Sequence, residues 1–350
     1  MSMFSIHLKS RNGGIDIGQN QTVKVNCNIG ANNLNQYKQE IARLNAIKNS
    51  GIMPDSFMDL SLCSFNKPLY RYIDEIFKAP VGVVPAYQLK EYKEVKALDL
   101  LKKYADDGIA FMTLHFTASV ELYKKSQKRR IPVTSRGGSM LLQHMIYDGV
   151  NNIWVELLPQ IISLAKQYKF AISLGSTFRP AGIEDACDEV HYMETLEQLK
   201  LCHELQREGI QVMVENVGHI DLKKLEAHCS LLKDFNAPIM PLGPIPTDCA
   251  VGMDHIATAI GASFMGYKEC AHIINCVTAS EHKSSFPSIL ETIEAIKVAK
   301  LTAHIIDITK GYTKEDEEIY LSRASASSCL VSKNKSCNRC DNVCPLKMKI

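Results

Sequence analysis

The feature that most constrains this chain is the recurrence of short apolar runs separated by amphipathic stretches of helical length. Runs fall at Val23–Ile29, Phe57–Leu62, Val81–Tyr87, Ile109–Phe116, Ile131–Thr134, Phe170–Gly175, Ile210–Val217, Pro238–Gly243 and Phe264–Tyr267. Such runs suit strands buried on both faces. Between many of them, Gln36–Ser50, Leu98–Asp107, Trp154–Tyr168, Tyr192–Gly209 and Leu222–Phe235 carry helical spacing, and a long periodic stretch follows from Ser288 to about Lys310. About eight strand–helix units in sequence predict an α/β protein with a parallel sheet, of the (β/α)8 TIM barrel type, with an open doubly wound sheet as the alternative.

The polar residues bear on that choice. Asn28, Met58-Asp59, Tyr87, His115, Ser135-Arg136, Arg179, Glu215 and His219 sit at or just after the C-terminal end of an apolar run. A barrel gathers all such ends on one face, where active sites are built, whereas an open sheet gathers only some at a switch point.

After Gly311 the composition changes to a charged stretch, then to small polar residues, then to a cluster of Cys. The expected divisions are a lead-in over 1–20, a barrel over 21–310 that binds substrate and metal, and a Cys-rich segment over 311–350. With 350 residues and 46% hydrophobic content the chain can bury a large core. Its tail is too short to hold a core of its own, so a metal or cluster is needed to order it. Lys plus Arg number 40 against 38 Asp plus Glu. That balance gives no polyanion-binding signature, so no nucleic acid is expected and any phosphate is expected to be small and held locally. No run of about 18 apolar residues and no apolar leader is present, which predicts a cytoplasmic protein with no membrane partner.

Of twelve Cys, eight are scattered through apolar or helical segments, where a free thiol behaves as a small hydrophobe, and they are given no function. Cys329, Cys337, Cys340 and Cys344 crowd the end. The last three have C-x2-C-x3-C spacing. A short loop of this kind can wrap a 4Fe-4S cluster, with three thiolates on three irons and the fourth iron open to the amino and carboxylate groups of S-adenosyl-L-methionine. A closed zinc knot using Cys329 or a His as fourth ligand fits the bare spacing equally well. Glu215-x-x-x-His219 and Glu281-His282 form a second constellation, two His from separate loops that could hold one divalent ion with open positions. Taken singly, each is as readily an ordinary hydrogen-bonded His. Thr134-Ser135-Arg136-Gly137-Gly138-Ser139 opens a helix and reads as a phosphate cradle or as a plain Gly-rich loop with a solvent-facing Arg.

These residues and several further blocks resemble the phosphomethylpyrimidine synthase family of radical S-adenosyl-L-methionine enzymes. The resemblance is carried by Val25-Asn26-Cys27-Asn28-Ile29-Gly30, Met58-Asp59-Leu60-Ser61, Val81-Gly82 with Pro85-Ala86-Tyr87-Gln88, Ser135-Arg136-Gly137-Gly138-Ser139, Ser173-Leu174-Gly175 with Arg179-Pro180, Gly243-Pro244 with Thr247-Asp248, Gly252 with Asp254-His255-Ile256, and Glu281-His282. It implies a barrel that binds 5-aminoimidazole ribonucleotide, a small phosphorylated imidazole nucleotide, and converts it in thiamine biosynthesis to 4-amino-5-hydroxymethyl-2-methylpyrimidine phosphate. Asn28, Met58, Tyr87, His115, Ser135, Arg136, Gly137, Arg179 and Glu215 would contact the nucleotide, with Glu215, His115 and Tyr87 as catalytic candidates. His219 and His282 would ligate Zn²⁺ or Fe²⁺, and Cys337, Cys340 and Cys344 would hold the 4Fe-4S cluster. A homodimer with exchanged C-terminal tails and a low-potential electron donor are implied as partners.

The departures are equally specific. The family has four residues between its second and third cluster Cys, and here Asp341-Asn342-Val343 are three. Ser176 stands where the family has a substrate-facing Asp, Met240 where it has a Tyr, and Asn216-Val217 where it has Gly-Pro. Only about 20 residues precede the first matching strand, where the family has an N-terminal domain. Loss of polar groups from a buried pocket changes selectivity. A sister activity that makes 5-hydroxybenzimidazole for anaerobic cobamides therefore stays open, as does a non-catalytic, zinc-stabilised nucleotide-binding protein.

Overall fold

The computed structural model describes residues 4–284, 286–331, 337, 339–340 and 343–347. In chain order its elements are β1 (Ser5–Leu8), β2 (Ile15–Gly18), β3 (Lys24–Ile29), α1 (Leu34–Ser50), β4 (Ser56–Asp59), α2 (Leu69–Phe77), β5 (Val81–Val83), α3 (Glu94–Asp106), β6 (Phe111–Leu114), α4 (Val120–Ser126) and α5 (Arg136–Asp148). There follow α6 (Ile153–Glu156), α7 (Leu158–Tyr168), β7 (Ala171–Leu174), α8 (Glu189–Arg207), β8 (Val212–His219), α9 (Leu222–Leu232), β9 (Ile239–Ile245), α10 (Asp254–Tyr267), β10 (Ile273–Asn275), α11 (Ile289–Thr309) and α12 (Lys314–Ser325).

Strands β3 to β10 form one parallel sheet in the order β10-β3-β4-β5-β6-β7-β8-β9. The remaining seam between β9 and β10 is bridged by His272. Its backbone N–H donates to Ile239 O at 3.0 Å, and its carbonyl accepts from Lys24 N at 3.1 Å on the other side. Its Nδ1 accepts the Ile239 N–H at 3.1 Å. The sheet is thus an eight-stranded barrel of the TIM type, wrapped by the helices, as the alternation predicts.

Two of the expected strands are corrected, and a third was missed. Ile131–Thr134 is not a strand: Pro132 lacks the N–H that a ladder needs, and the segment runs as irregular chain into α5. Phe264–Tyr267 is the last turn of α10, whose buried Asp254, Ala257, Thr258, Gly261, Ala262 and Met265 recur at helical spacing. The eighth strand is instead Ile273–Asn275, three residues long and directly after the buried His272. The amphipathic stretch 154–168 is split at Leu157 into α6 and α7, with Pro159 in the first turn of α7 where a missing N–H is harmless.

The lead-in residues make an antiparallel hairpin, β1 with β2. Ile6, Leu8 and Ile17 are buried in the main core. Lys9 Nζ donates to Tyr168 O, just before β7, at 2.5 Å, and His7 N donates to Gln211 Oε1, just before β8, at 2.6 Å. The hairpin therefore covers the end of the barrel at which the strands begin. At the other end of the chain, α12 buries none of its side chains and exposes Ile319, Tyr320 and Leu321. No helix among the described residues is long and apolar enough to cross a membrane.

Burial pushes the His272 imidazole down to about 3, with Lys310 adding to the effect. A neutral His at the seam stabilises the fold above the unfolded value near 6.5, and that contribution is lost as pH falls from there toward 3. The thermal unfolding midpoint is expected to drop as pH is lowered from about 6.5 to 4. His272→Leu strands the Ile239 N–H and costs about 1–3 kcal/mol at pH 8; its midpoint should start lower and fall less steeply, as calorimetry across that pH range would show.

Candidate active site at the mouth of the barrel

Glu215 anchors the site. It lies on β8 beside Met240 of β9 in register, and its Oε1 accepts Thr113 Oγ1 at 2.6 Å and Ser173 Oγ at 3.1 Å. Thr113 and Ser173 are themselves paired across β6 and β7. Burial raises the Glu215 carboxyl above its usual range, opposed by those hydroxyls and by Arg179. Arg179, in the connection after β7, is lowered by burial and sits in the fields of Glu215 and Tyr87. Its guanidinium donates to Ser176 O at 2.8 Å. Tyr87 is raised by burial, with Arg136 and Arg179 opposing, and the Arg136 guanidinium stands 5.5 Å from the centre of its ring.

His115 follows β6 and is almost fully buried. Ser135 Oγ lies 2.7 Å from His115 Nε2 and also accepts the Gly138 N–H at 3.2 Å as the N-cap of α5. The imidazole Nδ1 is buried and has no hydrogen-bond partner. Burial, reinforced by Arg179, pushes the ring down to about 3, so it is neutral. Two glycines make room for it: a Cβ on Gly137 would lie 2.5 Å from His115 Cε1, and one on Gly175 would lie 2.9 Å from Cδ2. The Gly138 N–H is taken by Ser135 and is not free to meet a ligand at the start of α5.

A second cluster sits on the rim. The rings of His219 and His282 meet edge to face, 5.1 Å between centres. His219 Nδ1 is 2.7 Å from Asp248 Oδ1, and His282 Nδ1 is 2.6 Å from Asp254 Oδ1. A carboxylate on Nδ1 fixes the tautomer and leaves Nε2 as the ligating nitrogen, the arrangement common behind metal-bound imidazoles. The pair fits a divalent ion. His219 reaches the rim through a bulge after Val217, which adopts a left-handed φ of 93° ahead of Gly218 at 106°. For a β-branched residue that backbone costs about 1–3 kcal/mol.

Other expected residues are placed differently. Asn28 lines a cleft of about 240 Å³ shared with Arg136 and Glu281, and Met58 is its buried register partner. Ser176 and Met240 are fully buried. The Ser176 hydroxyl points to Glu194 Oε2 at 2.8 Å. That same carboxylate accepts Thr117 Oγ1, Thr177 N and Phe178 N, and so holds the turn leading to Arg179. Asp59 accepts from Ser61 and from Tyr70 N, and serves its own turn. Cys337, Cys340 and Cys344 are half-buried free thiols, with Val343 N–H donating to Cys340 O at 3.1 Å. Asn338, Asp341 and Asn342 of that motif lie outside the described residues.

Sequence reasoning missed the polar residues inside the barrel. Asn26 Nδ2 donates to Asn28 Oδ1 at 2.9 Å and Asn275 Oδ1 at 2.7 Å, and Ser56 Oγ donates to Asn26 Oδ1 at 2.9 Å. A single polar residue at the centre of an apolar run, as with Thr113 in Phe111–Leu114 or Ser173 in Ala171–Leu174, was the available signal.

Comparison with known proteins finds relatives over most of the chain. The profile described as the Radical SAM ThiC family matches residues 5–328. The chain is 33% identical over 314 aligned positions to the phosphomethylpyrimidine synthase of Thermotoga petrophila, covering 85% of this chain and 73% of that one. It is 32% identical over 369 positions to the enzyme of that name from Archaeoglobus fulgidus, covering 95% and 85%. With the one from Carboxydothermus hydrogenoformans it shares 34% over 311 positions, covering 84% and 72%.

The glycine cleft around His115 makes a direct prediction. Gly137→Ala must displace the ring and is expected to cost about 1–3 kcal/mol by overpacking. Ser135→Ala, which loses the cap, should cost about 1 kcal/mol. Urea unfolding at neutral pH measures both, and a Gly137→Ala variant as stable as the parent would contradict the packing described.

Proposed function

This chain belongs to the radical SAM ThiC family, and from that premise we propose that it rearranges 5-aminoimidazole ribonucleotide, or a close analogue, at the mouth of its barrel. The supporting observation is the convergence of Glu215, Arg179, Tyr87 and His115 at the strand ends, with a carboxylate-backed His pair on the rim. A 4Fe-4S cluster held by Cys337, Cys340 and Cys344 would supply, with S-adenosyl-L-methionine, the radical that starts the reaction. The ion held by His219 and His282 is read as Zn²⁺ or Fe²⁺.

The chain's own residues divide the remaining work. Arg179 and Arg136 offer guanidinium forks for the phosphate. His115, neutral and with a partnerless Nδ1, offers a buried hydrogen-bonding group that substrate can satisfy. Glu215 has Oε1 fixed by two hydroxyls, which leaves Oε2 to face the imidazole or its amino group. Its raised carboxyl holds a proton at higher pH than an exposed Glu would, as suits an acid–base group.

A second reading, the sister conversion to 5-hydroxybenzimidazole, is favoured by Met240. An apolar side chain lies beside Glu215 where the family presents a hydroxyl, and a pocket short of one hydrogen-bonding group guides a rearrangement differently. The bare α12 supports a homodimer in which the tails are exchanged.

Anaerobic reconstitution with iron and sulfide, followed by reaction with S-adenosyl-L-methionine and the nucleotide, tests the proposal. 5′-Deoxyadenosine is expected, and mass spectrometry of the second product decides between pyrimidine phosphate and benzimidazole. A protein fully loaded with iron that forms no 5′-deoxyadenosine would refute it in favour of a binding protein. For the rim, Asp248→Asn or Asp254→Asn is expected to weaken divalent-ion affinity by about 10–100-fold, measured by competition with a chromophoric chelator.

A further inference from the structure

Behind β8, on the side away from the barrel interior, lies a group to which the sequence reading gave no role. Cys187 precedes α8, His191 is in its first turn, and His228 is on α9. One ligand atom from each residue lies within 4.8 Å of the other two. We propose that Cys187, His191 and His228 form a further metal site for one Zn²⁺-class ion, with a fourth position open on the solvent side.

Four observations support it. The two imidazole rings are buried and packed together, 4.3 Å between centres and tilted by 31°. His228 Nε2 lies 2.7 Å from Asn216 Oδ1, so it donates there and keeps the lone pair on Nδ1. His191 Nδ1 accepts the backbone N–H of Cys187 at 3.1 Å, a contact that an ion on that nitrogen would replace, while its buried Nε2 has no hydrogen-bond partner. Without an ion the His191 Nε2 is left unsatisfied, and an unsatisfied buried donor costs about 1–3 kcal/mol. Finally, Cys187 is exposed and holds a left-handed φ of 61°, a strained backbone of the kind that persists where function requires it.

The donor set identifies the metal. One thiol sulfur and two imidazole nitrogens suit zinc and its borderline neighbours and do not suit Mg²⁺ or Ca²⁺. Tetrahedral zinc with these bond lengths sets its ligand atoms about 3.3–3.6 Å apart, so the cluster needs to contract by about 1 Å, within reach of a Cys rotation and small ring shifts. Lys224 on α9 already ties the loop ahead of Cys187, donating to Ile183 O at 2.8 Å. A bound ion would lock the start of α8 to α9, and with it the connection that carries Arg179.

The site can be isolated in the full chain with Cys337→Ala, Cys340→Ala, Cys344→Ala, His219→Ala and His282→Ala, which removes the tail and rim ligands. Titration with Co²⁺ under reducing conditions is expected to give one equivalent of a near-ultraviolet thiolate charge-transfer band, displaced by Zn²⁺. Cys187→Ser should abolish that band, and His228→Gln should weaken binding by at least about tenfold. In the unsubstituted protein, Zn²⁺ should protect Cys187 from alkylation, read by peptide mass. No band at stoichiometric Co²⁺, a band that persists in Cys187→Ser, or alkylation of Cys187 unchanged by Zn²⁺ would each overturn the proposal. None of these readouts depends on whether the nucleotide reaction proposed above occurs.

Discussion

Closure of the sheet at His272 is the constraint on which the site depends. An open sheet of these eight strands would leave β9 and β10 at opposite edges, and the Glu215–Met240 pair would not share an interior with the Asn26–Asn275 pair. One residue bridges both neighbours through its backbone and doubles the bond to Ile239 through its ring. With the ring of strands complete, polar residues from distant positions in the sequence share one small space.

That space is polar by design of its pairs, not by exposure. Thr113 and Ser173 converge on Glu215, and Thr117 and Ser176 on Glu194. Each buried carboxylate is surrounded by hydroxyl or amide donors, as a buried charge must be to persist. Gln198 links the two systems from outside the barrel, donating to Leu174 O, Gly175 O and Glu215 O. A shift of α8 would therefore be felt at the strand ends on either side of the pocket.

Much of this was legible in the sequence. Seven of the eight barrel strands came from apolar runs, and strand-end positions pointed to Tyr87, His115, Arg179, Glu215 and His219. Where reading failed, the physics is local. Pro132 sits in a run that composition alone marks as β, and α10 ends in a run as apolar as any strand. β10 is too short to register as a run at all. Asp248 and Asp254 were visible only as parts of longer motifs, because contacts that cross 28 or 29 residues of chain leave no periodic trace. Ser176 stands where the family has a substrate-facing Asp, and its hydroxyl faces Glu194, a partner 18 residues on that no local pattern announces.

The hairpin at the foot of the barrel has a consequence for traffic. Ile6, Leu8 and Ile17 cover the end at which the strands begin, so among the described residues a molecule would approach the polar interior from the opposite rim, past His219 and His282.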